Sequence, residues 1–327
     1  MPAILASALT KHFAPDIRAV DGIDLNIDQG MIFGFLGQNG SGKTTTVRLL
    51  TTLLKATSGT AEVLGFDIGR HAKAIRRHIG VALQEAGLDD FQTGRELLTL
   101  QARLYGVPRG EVGTRVDRLL AIVDLVDAAD RPNKTYSGGM KRRLDLASAL
   151  VHGPSLVFLD EPTTGLDPIS REAIWRYVRE LNKSDGVTFF LTTQYLEEAD
   201  RLADEVAIMD AGKIIAQGSP AALKSSIGTD VVTARIEGGR DELARAEATL
   251  RQLEAVNDVR TVDDSIIIYV PDGATAIAQI VLLLNEVSLR TREISVATPT
   301  LDDVFLRTTG HHLEQDAWVT GAPSERG

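Results

Sequence analysis

Gly37-Gln38-Asn39-Gly40-Ser41-Gly42-Lys43-Thr44 is the stretch that decides the fold. It fits the pattern G-x-x-x-x-G-K-[ST]. Upstream, Ile32–Leu36 is a short apolar run that reads as a strand; downstream, Thr44–Leu50 has helix character. A strand-loop-helix frame turns the loop's backbone N–H groups toward the β- and γ-phosphates of a nucleotide. The helix start adds its partial positive charge. Lys43 puts a full charge near the β/γ oxygens, and Thr44 offers a hydroxyl to Mg²⁺. A glycine turn with a chance lysine would lack that frame on both sides.

A second run narrows the chemistry. Leu156-Val157-Phe158-Leu159 is apolar and ends in Asp160-Glu161. A buried strand delivers both carboxylates to its C-terminal end, where α/β sites form. There Asp160 would hold Mg²⁺ through water, and Glu161 would orient and polarise an attacking water as general base.

Working outward, residues up to about 220 alternate strands and helices. β-rich runs at Met31–Leu36, Ile79–Leu83, Ser155–Leu159, Thr188–Thr192 and Val206–Met209 predict a largely parallel sheet with helices packed on it. Thr93–Asp127 reads as helices only, broken at Gly106-Val107-Pro108, and implies a helical insertion that extends to about residue 135. Gly212 and Gly218-Ser219-Pro220 punctuate the end of this first domain. A short helix and linker are expected over 221–228. The remainder then reads as strand Val231–Ile236, helix Asp241–Glu254, strands Val259–Val262 and Ser265–Val270 around Asp263-Asp264, helix Ala274–Val287 and strand Glu293–Ala297. That order, β-α-β-β-α-β, predicts a small α+β ferredoxin-like domain over 229–310. Leu301–Arg307 adds a helix, and 311–327 reads as a tail.

Composition sets limits. A chain of 327 residues suits two domains, and 43% hydrophobic with 24% charged residues is ordinary for a soluble globular protein. The net charge of −10, with no basic stripe, argues against nucleic acid as partner. The absence of cysteine excludes disulfides, thiol catalysis and Cys-ligated zinc. Met1 to Thr10 has no signal-peptide pattern. No run approaches roughly 18 apolar residues; the nearest, Ile277–Leu284, contains Gln279 and meets Asn285 and Glu286. Any membrane role is therefore expected to be peripheral. His311-His312 is a poor metal site without other ligands.

Between the loop and the Asp-Glu strand lies Tyr136-Ser137-Gly138-Gly139-Met140-Lys141, followed by a helix pattern through Leu150. Here the chain resembles the ATP-binding cassette (ABC) ATPases, whose signature is Leu-Ser-Gly-Gly-Gln. The resemblance covers about residues 3–220 and implies an ABC-type P-loop NTPase domain with a helical subdomain. It implies ATP and Mg²⁺ as ligands and ATP hydrolysis as activity. It also implies that Ser137, Gly138 and Gly139 contact the γ-phosphate bound by another subunit, the physics again being anion binding at a helix start.

The same resemblance implies a role for Gln84, after Ile79–Leu83, in touching Mg²⁺ or its water and relaying nucleotide state to a transmembrane subunit. Asp167, in Thr164-Gly165-Leu166-Asp167, either bridges two subunits or merely forms a turn before Pro168. Phe13 either stacks on adenine or packs in the core. Gly37, Gln38, Asn39, Gly40, Ser41, Gly42, Lys43, Thr44 and Thr45 complete the nucleotide-binding set.

Where most of the family carries histidine, this chain has Gln194, in Thr193-Gln194-Tyr195-Leu196-Glu197-Glu198. An amide can donate to a γ-phosphate but cannot shuttle a proton. Together with Thr93-Gly94-Arg95-Glu96 and Tyr-Ser-Gly-Gly-Met-Lys-Arg-Arg-Leu-Asp, this is similar to the daunorubicin/doxorubicin-resistance branch of ABC exporters. The catalytic set implied is Lys43, Glu161 and Gln194; the metal set is Thr44, Gln84 and Asp160.

One set of motifs per chain implies that two copies sandwich ATP head to tail. The helical insertion is either a docking surface for a separate membrane permease or a solvated lobe. The C-terminal domain is either a structural cap or an aid to dimerisation or regulation. The resemblance thus implies the motor subunit of a hydrophobic-drug or lipid exporter, at the cytoplasmic face of the membrane. The rival readings are an ABC ATPase with no transport role, in regulation, repair or translation, and a nucleotide-binding module that does not turn over.

Overall fold

The structure is a computed structural model that describes residues 2–13, 16–83, 87–227 and 230–310. These residues form two compact units, divided along the chain between Gln217 and Gly218.

The first unit runs β1 (Pro2–Phe13), β2 (Ile17–Asp28), β3 (Ile32–Leu36), α1 (Lys43–Leu50), β4 (Ser58–Val63), β5 (Phe66–Asp67), α2 (Ala72–His78), β6 (Ile79–Ala82), α3 (Gly94–Leu104), α4 (Arg109–Ile122), α5 (Gly138–Leu150), β7 (Leu156–Asp160), α6 (Pro168–Asp185), β8 (Thr188–Thr193), α7 (Leu196–Leu202), β9 (Glu205–Asp210) and β10 (Lys213–Gly218). Its central sheet has the order β10-β9-β3-β8-β7-β6, with β9, β3, β8, β7 and β6 pairing in parallel as the alternating pattern predicts. Every residue of β3, β7 and β8 is buried, because both faces of this sheet are covered. Phe33, Phe35 and Phe158 crowd the Phe190 ring on one face, with centroids 5.4–5.6 Å away. Val157, Leu159, Phe189 and Leu191 point to the other face, against the helical region.

A second, antiparallel sheet, β2-β1-β4-β5, was not foreseen from the sequence. Helices α3 and α4 lie within the expected helical stretch and break where the glycine-proline stretch predicts, and α5 follows as the helix expected after the signature. The start of α3 is a capping box. The Thr93 hydroxyl accepts from Glu96 N at 3.1 Å, and a Glu96 carboxylate oxygen accepts from Thr93 N at 2.9 Å. Gly94 is required because a Cβ there would lie 2.8 Å from the Tyr136 hydroxyl; that hydroxyl donates to the Ala128 carbonyl.

The second unit runs α8 (Pro220–Ser226), β11 (Asp230–Ile236), α9 (Arg240–Leu250), β12 (Asp258–Val262), β13 (Ser265–Val270), α10 (Gly273–Glu286), β14 (Thr291–Ala297) and α11 (Leu301–Thr309). Its antiparallel sheet has the order β12-β13-β11-β14, the ferredoxin-like arrangement. Leu243, Ala246, Leu250, Ala276, Ile280 and Leu284 from α9 and α10 cover one face. Helix α9 stops at Leu250, four residues before the expected Glu254. Helix α8 packs on α11, and Arg307 donates to the Ser226 carbonyl.

Candidate functional site

The phosphate-type loop leaves the carboxyl end of β3, where Gly37 N donates to the Thr193 carbonyl of neighbouring β8 at 3.3 Å. The loop is packed too tightly for side chains at two points. A Cβ on Gly37 would lie 2.4 Å from the Met209 carbonyl oxygen; one on Gly42, whose φ is +112°, would lie 2.1 Å from that of Ala19. Gly42 caps α1 without any side-chain hydrogen bond, leaving the first-turn N–H groups to other acceptors. Lys43 is 4% exposed, and its Nζ donates to the carbonyls of Gly37 and Gln38 at 2.7 and 2.9 Å. Burial draws its pKa below the ordinary lysine value, against the pull of the Glu161 and Asp160 carboxylates. The Ser41 hydroxyl is buried with no hydrogen-bond partner.

β7 lies beside β8 and brings its two carboxylates to the same end of the sheet. Asp160 Oδ1 accepts from the Thr192 hydroxyl at 2.5 Å and from the Thr44 hydroxyl at 3.3 Å, whereas Oδ2 is buried without a partner. Glu161 N donates to both the carbonyl and the hydroxyl oxygen of Thr192, at 3.1 and 3.0 Å. Its Oε1 is 3.7 Å from Lys43 Nζ. Glu161 has φ +49°, a left-handed conformation that costs a non-glycine residue roughly 1–2 kcal/mol. Strain held by surrounding bonds is a mark of a functional position.

Among the described residues no group of three or more His, Asp or Glu side chains could hold a metal alone. A free carboxylate oxygen on Asp160 beside the Thr44 hydroxyl nevertheless fits Mg²⁺, which takes one or two protein oxygens and completes its shell with phosphate and water.

The other candidates lie as follows. Gln194 directly follows β8, one residue beyond the carbonyl that holds Gly37. Phe13 is 39% exposed and pairs across the β1–β2 hairpin with Ile17, 62% exposed. Two residues further along β2 is Ala19, whose carbonyl abuts Gly42. Two exposed apolar side chains thus share the hairpin end that leads to the loop. Ser137 caps α5, accepting from Met140 N at 3.2 Å, and is exposed with Gly138. Asp167 caps α6, accepting from Ser170 N and Oγ at 2.9 and 2.6 Å, a turn-forming role satisfied within the chain. Gly139 meets the same Ser170, 2.6 Å from where a Cβ would stand, so the starts of α5 and α6 adjoin. Helix α1 packs on β2, β4 and β7; α5 packs on β6, α3, α4 and α6. Gln84 and His311-His312 lie outside the described residues.

Three residues at the site escape a reading of the sequence. Thr192 bridges Asp160 and Glu161. Arg142, on α5, is buried against the carbonyls of Asp160 and Pro162. Glu198, fully buried on α7, accepts from Thr163 Oγ1 and Trp175 Nε1 at 3.0 and 2.9 Å. The available signal was faint: a threonine at a buried strand end, an arginine one turn into the signature helix, and a glutamate on an apolar helix face.

The ABC transporter family pattern matches residues 20–164, from the strand beside the loop to the turn after Glu161. The chain is 43% identical to the daunorubicin/doxorubicin resistance ATP-binding protein DrrA of Streptomyces peucetius, over 99% of this chain and 97% of that one. It belongs to the ABC transporter ATP-binding proteins. Residues 218–309 match the C-terminal domain of the DrrA1-3-like ATP-binding proteins, which places the chain in the drug-resistance branch of that family. The Nod factor export ATP-binding protein I of Cupriavidus metallidurans is 38% identical over 96% of this chain and 99% of its own length. Among solved structures, a dimeric bacterial ABC transporter cassette superposes with a TM-score of 0.61 and 25% identity, covering 66% of this chain and 98% of that one. The first unit is thus an ABC ATPase domain, which binds ATP.

Proposed function

We propose that this chain is the ATP-hydrolysing subunit of an exporter and drives efflux of a hydrophobic drug or lipid-like molecule through a separate membrane permease. The observation that carries this reading is the convergence of Lys43, Asp160 and Glu161 at one end of the β3-β8-β7 sheet, with Asp160 Oδ2 buried and free. Gly37 to Thr45 wrap the phosphates, and Lys43 exchanges its loop carbonyls for β/γ oxygens. Phe13 stacks on the adenine. Thr44 and Asp160, with Gln84, would hold Mg²⁺, which would offset the charge of the phosphates. Glu161 takes the proton of the attacking water, and Gln194 donates its amide N–H to the γ-phosphate.

Ser137, Gly138 and Gly139 complete the site of a second copy, which makes the working state a two-fold ATP sandwich; Asp167 adds to that interface from its cap on α6. The dimeric form of the similar cassette supports this assembly. No helix among the described residues is long and apolar enough to cross a membrane. In this reading the chain acts peripherally, on the cytoplasmic face, with cargo chosen by the permease. The names of the two relatives, drug resistance and Nod factor export, support an export role.

Co-expression with a candidate membrane permease tests the proposal. We expect co-purification of a multi-helix permease and ATPase activity that depends on it. Turnover that is indifferent to every membrane partner would instead favour an ABC ATPase without a transport role.

A further inference from the structure

Arg142 lies within a turn and a half of Ser137 on α5, and its guanidinium is turned inward, 8% exposed. Nε donates to the Pro162 carbonyl at 2.9 Å, Nη2 to the Asp160 carbonyl at 2.9 Å, and Nη1 to the Leu83 carbonyl and to Asp145 Oδ2. One planar fork thus ties the signature helix to the carboxyl ends of two adjacent strands, β6 and β7. Burial pushes the Asp145 carboxyl up to about 6 despite its arginine partner, and draws Arg142 down. Attraction within the pair is therefore outweighed by desolvation, and its value is geometric.

The geometry concerns one peptide above all. The group joining Asp160 to Glu161 has its carbonyl held by Arg142 and its N–H held by Thr192. With both ends fixed, the peptide cannot rotate, and Glu161 stays in its left-handed conformation, aimed toward Lys43. The geometry points to Arg142 as a positioning residue for hydrolysis: it sets the orientation of Glu161 and couples that orientation to the tilt of the signature helix. This rests on the reading of Glu161 as the base. Movement of α5 when the nucleotide sandwich opens must either stretch the three carbonyl bonds or drag the Asp160–Glu161 peptide with it. The base is therefore aligned only while the signature helix is docked. Lysine cannot substitute, since a single ammonium does not present a planar fork to three carbonyls.

The test uses the full chain with its permease partner and two variants: Arg142→Lys, and Arg142→Gln combined with Asp145→Asn, which removes both buried charges together. A displacement of a catalytic group by about 1 Å costs on the order of 10²-fold. We expect each variant to bind a fluorescent ATP analogue within about threefold of the unaltered Kd while kcat falls by about 10²-fold and KM is unchanged. Wild-type kcat in either variant overturns the inference. So does loss of nucleotide binding in both, which would make Arg142 a strut of the fold alone. Glu161→Gln in the same assay separates the two readings: if it turns over normally, the assignment of the base fails, whatever Arg142 does.

Discussion

In the ATP-binding unit, the Lys43–Glu161 pair is 3.7 Å apart and its side chains are 3% and 6% exposed. In the C-terminal unit, Arg235 and Glu293 are 3.4 Å apart and their side chains are 54% and 65% exposed. The distances are alike; the surroundings are not. Both units lay helices over a sheet, but only the first draws charge inward, to the carboxyl end of β3, β8 and β7, and holds it there with carbonyls and hydroxyls. A charge pair in water is screened and contributes little, whereas the same pair out of water is expensive and must be arranged bond by bond. What separates the two units here is where the desolvated charges sit.

The sharpest way to break that comparison is Glu161→Gln. The amide keeps the shape and loses the base, so kcat should fall by about 10³-fold with ATP still bound. Steady-state ATPase and nucleotide-binding assays on the same preparation check this. A fall of less than tenfold would mean that the buried carboxylate serves packing rather than chemistry.

Next in size is Glu198→Gln. Burial raises the Glu198 pKa above its ordinary 4.5, opposed by hydrogen bonds from Thr193, Trp175 and Thr163 and by the charge of Arg171. Below pH 4.5 both folded and unfolded chains hold the proton. As pH rises, the unfolded chain ionises first, and stability is lost progressively until the folded pKa is passed. Glutamine cannot ionise, so across this window the unaltered protein's Tm should fall more steeply with pH than the variant's. The two proteins should match near pH 4 and part above it. Parallel Tm–pH curves would show that Glu198 ionises in the fold as it does in water.

Residues such as Glu198 mark the limit of what the sequence reveals. The parallel sheet was legible because strands buried on both faces read as unbroken apolar runs, and the C-terminal order because its strands and helices keep their periods. The sheet β2-β1-β4-β5 was not, because β1 slips register against β2 between Ala6 and Leu9, where Ala8 has φ +46°. A bulge of this kind shifts the side-chain alternation and erases the two-residue period. At the site, Lys43, Thr44, Asp160 and Glu161 were legible because the motif is local. Thr192, Arg142 and Glu198 were not, because most of their partners lie 18 to 59 residues away and nothing nearby distinguishes them from ordinary strand and helix residues.

Phe13→Ala sharpens the comparison on the apolar side. An exposed ring on a hairpin does nothing for the core, so its removal should leave Tm within about 1 °C. If the ring stacks on adenine, ATP affinity should fall by roughly two- to tenfold, the worth of one aromatic contact. GTP, whose base also offers a π-face, should lose affinity to a similar extent. Isothermal titration with both nucleotides reads this, and equal ATP affinity in the two proteins would remove Phe13 from the site.

The smallest expected effect falls in the C-terminal unit. Arg235 pairs with Glu293 across β11 and β14 and also approaches Asp264 at 3.7 Å. With each side chain more than half exposed, water and salt already screen the charges, and the long side chains lose rotamer freedom in meeting. Arg235→Ala should therefore change unfolding free energy by no more than about 0.5 kcal/mol and leave ATPase activity unaltered. Chemical denaturation at low and at high salt measures this directly. A loss above 2 kcal/mol, or a fall in turnover, would show that this open sheet face is engaged in the working assembly and that the contrast between the units is one of partner rather than of burial.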